Sequence, residues 1–297
     1  MKKLLFAVLY ATGVTRLVAW ANRVQVTILC YHSVTKPGSQ PADDPFKLHL
    51  QLDLFIKHLE HLRSNYQIIS LSEVVRARRE NTKLPPRSVV LTFDDGFRNF
   101  STVVADELLR RGLPATNFIV IDKTENHVKP QTTEHANLTD EERHLSWADV
   151  KRLARLGFEF GSHSCSHSRL LSLSLEGVRK ELEDSLGALI EHLGPSRFAL
   201  SYPHGQTSED ISRLAESLGY SCALTTSLGG NHANEDLFAL NRTVVAADDD
   251  VATFAARVSG LTWWANRLLN FLHVSPDRSM KMMVRQYKPL VSDNLDL

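Results

Sequence analysis

A chain of 297 residues, 43% of them hydrophobic, has apolar material for one large domain or two modest ones and falls in the ordinary range of soluble globular proteins. Lys plus Arg and Asp plus Glu each number 34, so no global field points to nucleic acid or to an acidic surface, and nucleic acid is not an expected partner. The three cysteines, Cys30, Cys165 and Cys222, are widely spaced and odd in number, which does not describe a disulfide framework and reads as small buried side chains.

The first residues, "MKKLLFAVLYATGVTRLVAWANR", leave two readings open. Two lysines, an apolar stretch over residues 4–14 and small residues at Ala19 and Ala21 resemble a signal peptide. Arg16 and Arg23 interrupt that pattern, and Leu4, Leu5, Val8, Leu9 and Thr12 also fit one side of an amphipathic helix on a membrane surface. The apolar run is too short to span a bilayer.

From residue 24 the chain alternates short β-branched runs with longer helical patterns, the rhythm of βα units. "VTILCY" at 26–31 is the first predicted strand; Asp44 as N-cap and Pro45 at the first helical position then predict a helix running to about Tyr66. "QIISL" is a short strand, followed by a small helix with the capping-box pair Ser70 and Glu73. "SVVLTF" at 88–93 reads as a strand buried on both faces, "NFSTVVADELLRRG" as a helix stopped by Gly112, and "PATNFIV" as the next strand. Residues 122–145 are polar and read as an insertion loop that covers a site.

Ser146 and Asp149 open a helix over "WADVKRLARLG", in which Trp147 reads as packing more than as a wall of the site, and "FEFGS" at 158–162 is a strand. Leu175, Val178, Leu182, Leu186, Leu189 and Leu193 step by three and four along one buried helix face that ends at Gly194 and Pro195. The strand "RFALSY", the helix "SEDISRLAESLG", the strand "YSCALTT" and the extended "LFALNRTVV" complete the βα part near residue 245. "VATFAARVSGLTWWANRLLNFL" is a C-terminal helical segment, and roughly the last 20 residues read as a tail.

Three polar clusters stand at the C-terminal ends of predicted strands: "DDG" after "VVLTF", "HSCSH" at 163–167 after "FEFGS", and "PHG" at 203–205 after "RFALSY". In barrel-like α/β folds that edge carries the active site. If the chain turns helically after its strand, His163 and His167 project the same way and share one metal ion, which a carboxylate would complete as a two-histidine, one-carboxylate set. One aspartate of the pair is then a ligand and the other a free base, since a dication lets both stay ionised. Each pattern alone has a plainer reading: aspartates before glycine are common in turns, and an i, i+4 histidine pair is often surface decoration. Their joint placement at strand ends favours a site.

With "TFDDG", "HSCSH" and "LSW…LGFEFGSHS", the chain resembles the polysaccharide deacetylase family with NodB homology, and "ILCYHSV" resembles the opening strand of its bacterial exopolysaccharide deacetylase branch. The resemblance covers about residues 25–245. It implies an α/β fold, a distorted (β/α)7 barrel resembling a TIM barrel, flanked here by an N-terminal helix (1–24) and a C-terminal helical segment and tail (246–297). It further implies a divalent metal, usually zinc with cobalt or nickel substituting, held by Asp95, His163 and His167, with Asp94 as general base. A water acidified by the cation would give its proton to Asp94 and attack the acetyl carbonyl, and a backbone N–H near Pro203 and Gly205 would steady the oxyanion.

Two departures stand out. Where the family has an arginine that steadies the base, "SYPHG" has Ser201, and Arg242 from "FALNRTVV" is the candidate replacement. The family's late Leu-x-His, source of the general acid, has no evident counterpart; His232 is a weak candidate, and His204 and His32 are better placed, though either histidine also reads as a packing residue. The expected activity is metal-dependent removal of acetyl groups from N-acetylated or O-acetylated carbohydrate in cell-envelope or exopolysaccharide metabolism. The alternatives are a degenerate glycan-binding member and a deacetylase or deformylase of a lipid-linked sugar. The expected partners are an acetylated poly- or oligosaccharide, lipid-linked in the last case, and a membrane surface met through the N-terminal helix. The expected location is the cell envelope, membrane-associated or extracytoplasmic, with the cytoplasmic face also open.

Overall fold

The computed structural model describes residues 2–38, 44–124 and 143–271. It opens with α1 (Lys2–Ala11) and α2 (Val14–Ala21), which turn by 77° about Gly13; among the described residues no single helix is long and apolar enough to cross a membrane. Thr15 and Ala19 are buried and the Tyr10 ring lies 5.7 Å from His61, so one side of this pair packs on the body of the protein. There follow β1 (Thr27–Tyr31), β2 (Ser33–Thr35), β3 (His49–Gln51), α3 (Leu52–Asn65), β4 (Gln67–Ile69), α4 (Leu71–Arg79) and β5 (Ser88–Phe93). The middle of the chain gives α5 (Ala105–Arg111), β6 (Thr116–Ile119), α6 (Trp147–Arg155), β7 (Glu159–Ser162), α7 (Leu175–Leu193), β8 (Leu200–Ser201), α8 (Glu209–Ser217) and β9 (Ala223–Leu224). The last elements are β10 (Thr243–Val244), α9 (Val251–Val258) and α10 (Leu261–Phe271).

The main sheet is wholly parallel, in the order β10, β1, β5, β6, β7, β8, β9, with β4 also on β5. Leu240 bridges Leu224 in parallel, so the residues leading into β10 return beside β9 and the sheet curls into a half-barrel, matching the expected distorted (β/α)7 fold. Every residue of β5 is buried, because a strand covered on both faces by neighbours needs an unbroken apolar run. Inside the curl the strands crowd. A Cβ on Gly161 would lie 2.5 Å from the Phe118 ring and 2.7 Å from the Ala199 carbonyl, so β7 needs glycine there.

Several local signals hold. Ser70 with Glu73 and Ser146 with Asp149 form complete capping boxes, and α7 buries Val178, Leu182 and Leu189 of the expected face, while Leu186 and Leu193 are half-buried and Leu175, in the first turn, is exposed. Trp147 is buried and stacks on His192 at 3.9 Å, a packing role. All three cysteines are free.

Others are corrected. No helix begins at Asp44; its carboxylate accepts the N–H groups of Leu48 and His49 at 2.8 and 3.0 Å, and the chain enters β3, which pairs with β2, before α3 starts at Leu52. The helix expected over 99–111 begins as a π-helix, Phe100–Val104, before α5. The C-terminal segment is two helices broken at Gly260. Most of the expected covering loop, residues 125–142, and the tail lie outside the described residues.

A buried histidine pair joins α3 to α9. The His58 ring stacks on Phe254 at 3.9 Å and its Nε2 meets the Asp249 carbonyl at 2.8 Å; burial pushes its pKa down to about 4, and His61, buried beside it, to about 4 as well. An imidazole lowered from about 6.5 makes the unfolded chain the better proton binder between those values. Stability is therefore full above pH ~6.5 and falls as pH drops towards 4, by on the order of 3 kcal/mol for His58. His58→Gln should melt with a shallower pH dependence across that window. An unchanged slope would remove His58 as its source.

Candidate active site

All strands of the main sheet point the same way, so the residues that follow β1, β5, β7 and β8 meet at one rim. Asp94 and Asp95 leave β5, His163 leaves β7, the Pro203–Gly205 turn leaves β8 and His32 leaves β1. Asp95, Ser164, His167 and His204 all have positive φ, between 58° and 70°, although none is glycine. Backbone held in that region clusters at functional sites because it re-aims side chains that an ordinary turn would send elsewhere. Gly205, at φ 68°, follows His204; a Cβ there would fall 2.0 Å from the Thr226 hydroxyl, so that position takes glycine only.

The two aspartates have different surroundings. Arg242, fully buried, donates from Nη1 and Nη2 to the two Asp94 oxygens at 2.8 and 2.7 Å. The guanidinium is itself aimed by the Thr225 carbonyl, 2.8 Å from Nε, and by the Ser201 hydroxyl, 2.8 Å from Nη2. Ser201 in turn donates to Asp94 Oδ2 at 3.1 Å, and the Cys30 thiol lies 3.4 Å from the same oxygen. Burial alone would push the Asp94 carboxyl up, but the Arg242 guanidinium outweighs it and holds the carboxyl well below the usual carboxylate range.

Asp95 has no such partner. Its Oδ1 is buried without a hydrogen bond among the described residues, 3.4 Å from His167 Nε2 and 3.7 Å from His163 Nε2, and the two Nε2 atoms are 3.2 Å apart. These three ligand atoms lie within 4.8 Å of one another. His163 Nδ1 faces the Ser201 carbonyl at 2.8 Å, which fixes the proton on Nδ1 and leaves the Nε2 lone pair turned into the cluster. Burial, with His163 alongside, pushes the His167 pKa down to about 3. One orphaned carboxylate oxygen facing two imidazole lone pairs fits a divalent cation, and oxygen and nitrogen donors suit zinc, cobalt or nickel.

The 163–167 turn is not the helical one expected. Ser164 Oγ accepts the His167 N–H at 3.0 Å, closing a tight non-helical turn that still brings both imidazoles together. Glu181 of α7 holds it from behind: one carboxylate oxygen accepts the N–H groups of Cys165 and Ser166 at 3.1 and 2.9 Å, the other the Ser166 hydroxyl at 2.7 Å. Sequence reading missed Glu181 because an acid beside a helix's apolar face carries no signal of a tertiary partner.

The remaining candidates separate. His32 lies with Cys30 and Asp94 in a cluster spanning at most 4.8 Å, and its Nδ1 is buried without a hydrogen bond. The His204 ring is 4.8 Å from that of His167. His232 is remote: its neighbour Asn231 bridges Val26, ahead of β1, at the opposite end of the barrel, and its carbonyl accepts from Arg78. Pro203 has no N–H, and the Gly205 N–H donates to the Tyr202 carbonyl at 2.8 Å, so neither backbone group is free to meet an oxyanion as expected.

Residues 81–223 match the family model described as polysaccharide deacetylase. The chain is 25% identical over 238 residues to YxkH of Bacillus subtilis, a candidate polysaccharide deacetylase by name, covering 80% of this chain and 77% of that protein. A 105-residue stretch is 34% identical to the poly-beta-1,6-N-acetyl-D-glucosamine N-deacetylase of Escherichia coli, covering 35% of this chain and 16% of that protein. The Streptococcus pyogenes deacetylase PplD, solved with acetate, superimposes with a TM-score of 0.67 at 25% identity, over 80% of this chain and 99% of that one.

Proposed function

Because the chain belongs to the polysaccharide deacetylase family through residues 81–223, we propose that it is a hydrolase that removes acetyl groups from the amide nitrogen of N-acetylated glycan, acting outside the cytoplasm on exopolysaccharide or cell-envelope material. The observation that carries this reading is the division of labour between adjacent carboxylates, Asp94 paired with Arg242 and Asp95 turned to His163 and His167. The named relatives that act on poly-N-acetylglucosamine or bind acetate support the substrate class.

Asp95, His163 and His167 would hold the cation. When bound, it supplies positive charge that acidifies a water and polarises the acetyl carbonyl. Asp94, kept ionised by Arg242, takes the proton from the attacking water. With Gly205 committed to Tyr202, the His204 N–H is the group of the Pro203–Gly205 turn left to donate to the developing oxyanion. We assign proton delivery to the leaving amine to His32, which adjoins Asp94 and whose Nδ1 has no hydrogen-bond partner among the described residues. A binding-only role fits poorly with Arg242 and Ser201 together restoring the support that Asp94 would otherwise lack.

Acetate release from β-1,6- and β-1,4-linked N-acetylglucosamine oligomers and from O-acetylated xylan, before and after chelation and zinc add-back, tests the reading. Metal-restored release from the amide substrates alone is expected; release from xylan alone would move the activity to ester bonds. His32→Gln should lower kcat by about 10²- to 10⁴-fold with little change in KM, the loss typical of a missing general acid. A larger loss in His204→Ala would transfer that role. Glu181→Ala, which frees the 163–167 turn, should weaken zinc affinity by about 10- to 100-fold in a chelator competition, the usual effect of losing outer support. Wild-type affinity would leave Glu181 with no part in positioning the ligands.

A further inference from the structure

The chain's 34 carboxylates are unevenly placed: residues 1–42 and 251–276 contain none. The structure brings the described helices of those two segments together, because α1, α2 and α10 all rest on α9. Asn22 pins the join, donating to the Ser259 carbonyl at 2.8 Å and accepting from the Trp264 indole at 3.3 Å. The outward side of this helical cluster is apolar. Leu4 is 71% exposed, Leu17 69%, Trp20 61%, Trp264 49% and Leu268 58%, and Leu5 lies exposed between them. Single exposed leucines are ordinary, whereas a cluster from three helices with two tryptophans marks a contact surface.

The charged residues of the three helices and of the turn after α2 are all basic. Arg16 and Arg267 are exposed, Lys3 is exposed beside Asp248, and Arg23 lies over the Trp20 ring at 4.3 Å. A second copy of the chain docking here would bring those cations against their own images, since a two-fold contact is self-complementary. An anionic lipid surface complements both features at once: leucines enter the acyl boundary, indoles sit at the headgroup level and the cations meet phosphates. We propose that α1, α2 and α10 form one docking face for an anionic phospholipid membrane, so that the protein lies on the bilayer rather than crossing it. Lys3 reaches the Asp248 carbonyl at 3.0 Å, just past β10, so the α1 end of this face adjoins the rim that carries the catalytic cluster. A glycan held near the bilayer would then meet the site edge-on. The docking face does not depend on the chemistry of that site.

Flotation of the full chain with phosphatidylglycerol–phosphatidylethanolamine vesicles, with pure phosphatidylcholine vesicles as the neutral arm, tests this. Binding to the anionic vesicles, a blue shift of tryptophan emission and at least tenfold weaker binding in Leu17→Glu are expected. Arg16→Glu, which leaves the apolar side chains in place, should weaken anionic binding several-fold and lower its sensitivity to salt. Zinc affinity and circular dichroism of both variants serve as the fold control. Absence of binding, or equal binding by wild type and both variants, overturns the proposal. A lipid-free dimer that Leu17→Glu dissociates, with no vesicle binding, would assign the face to a second copy instead.

Discussion

Arg242→Met is expected to cost about 3–5 kcal/mol of folding stability and to remove most turnover. The guanidinium is fully buried and makes two hydrogen bonds to Asp94, one each to the Ser201 and Thr92 hydroxyls and one to the Thr225 carbonyl. Its removal leaves the Asp94 charge, 3% exposed, without a counterion in an interior that cannot hydrate it. Methionine fills similar volume, so the loss reports the uncompensated charge and not a cavity. Lysine would do little better, because a single ammonium cannot reproduce the fork that meets both carboxylate oxygens and Ser201 together. A urea melt should show a lower midpoint with an unchanged slope. The double variant Arg242→Met, Asp94→Asn should recover much of the stability, because the second change removes the stranded charge, while remaining inactive. A single variant that melts like the wild type would mean that the pair contributes nothing to folding and that Asp94 is steadied by other means.

That pair also shows where the sequence was legible. Asp94, Asp95, His163 and His167 were legible because two patterns that are ordinary alone, paired aspartates before a glycine and histidines four apart, both stand at the C-terminal ends of predicted strands. The loss of arginine at Ser201 pointed to Arg242, and the structure joins the two across β8 and the approach to β10, where Ser201 accepts from the very guanidinium that replaces the missing one. What the sequence hid was non-local. Asp44 and Pro45 carry a sound helix-start signal, yet the parallel pairing of His49–Gln51 with Ser33–Thr35 overrides it, and no local pattern encodes that register. The turn after β7 reads as helical from spacing alone; its true form depends on Ser164 and Glu181, whose hydrogen bonds hold the strained backbone from outside the local pattern. Gly205 hid its cost in the same way, since its committed N–H depends on how tightly the turn closes.

The sharpest separation of the adjacent carboxylates comes from two substitutions that each remove one charge and almost no volume. Asp95→Asn is expected to weaken zinc binding by at least about 10-fold, because it deletes the anionic donor facing His163 and His167 and leaves a neutral amide where the cation needs charge. Turnover should then fall at sub-stoichiometric metal and recover in part at excess metal. Asp94→Asn should keep zinc affinity near the wild-type value and lose turnover by about 10²- to 10⁴-fold at any metal concentration, since an amide can accept no proton from water. Asp94→Asn also leaves Arg242 buried with a neutral partner, so some loss of stability accompanies the loss of rate, and the metal titration must be read below the variant's melting temperature. Equal loss of zinc by both variants would mean that the cation bridges both carboxylates, and the proton would then have to leave the water by another route, with His32, within 4.8 Å of Asp94 and outside the Asp95, His163 and His167 set, the imidazole at hand.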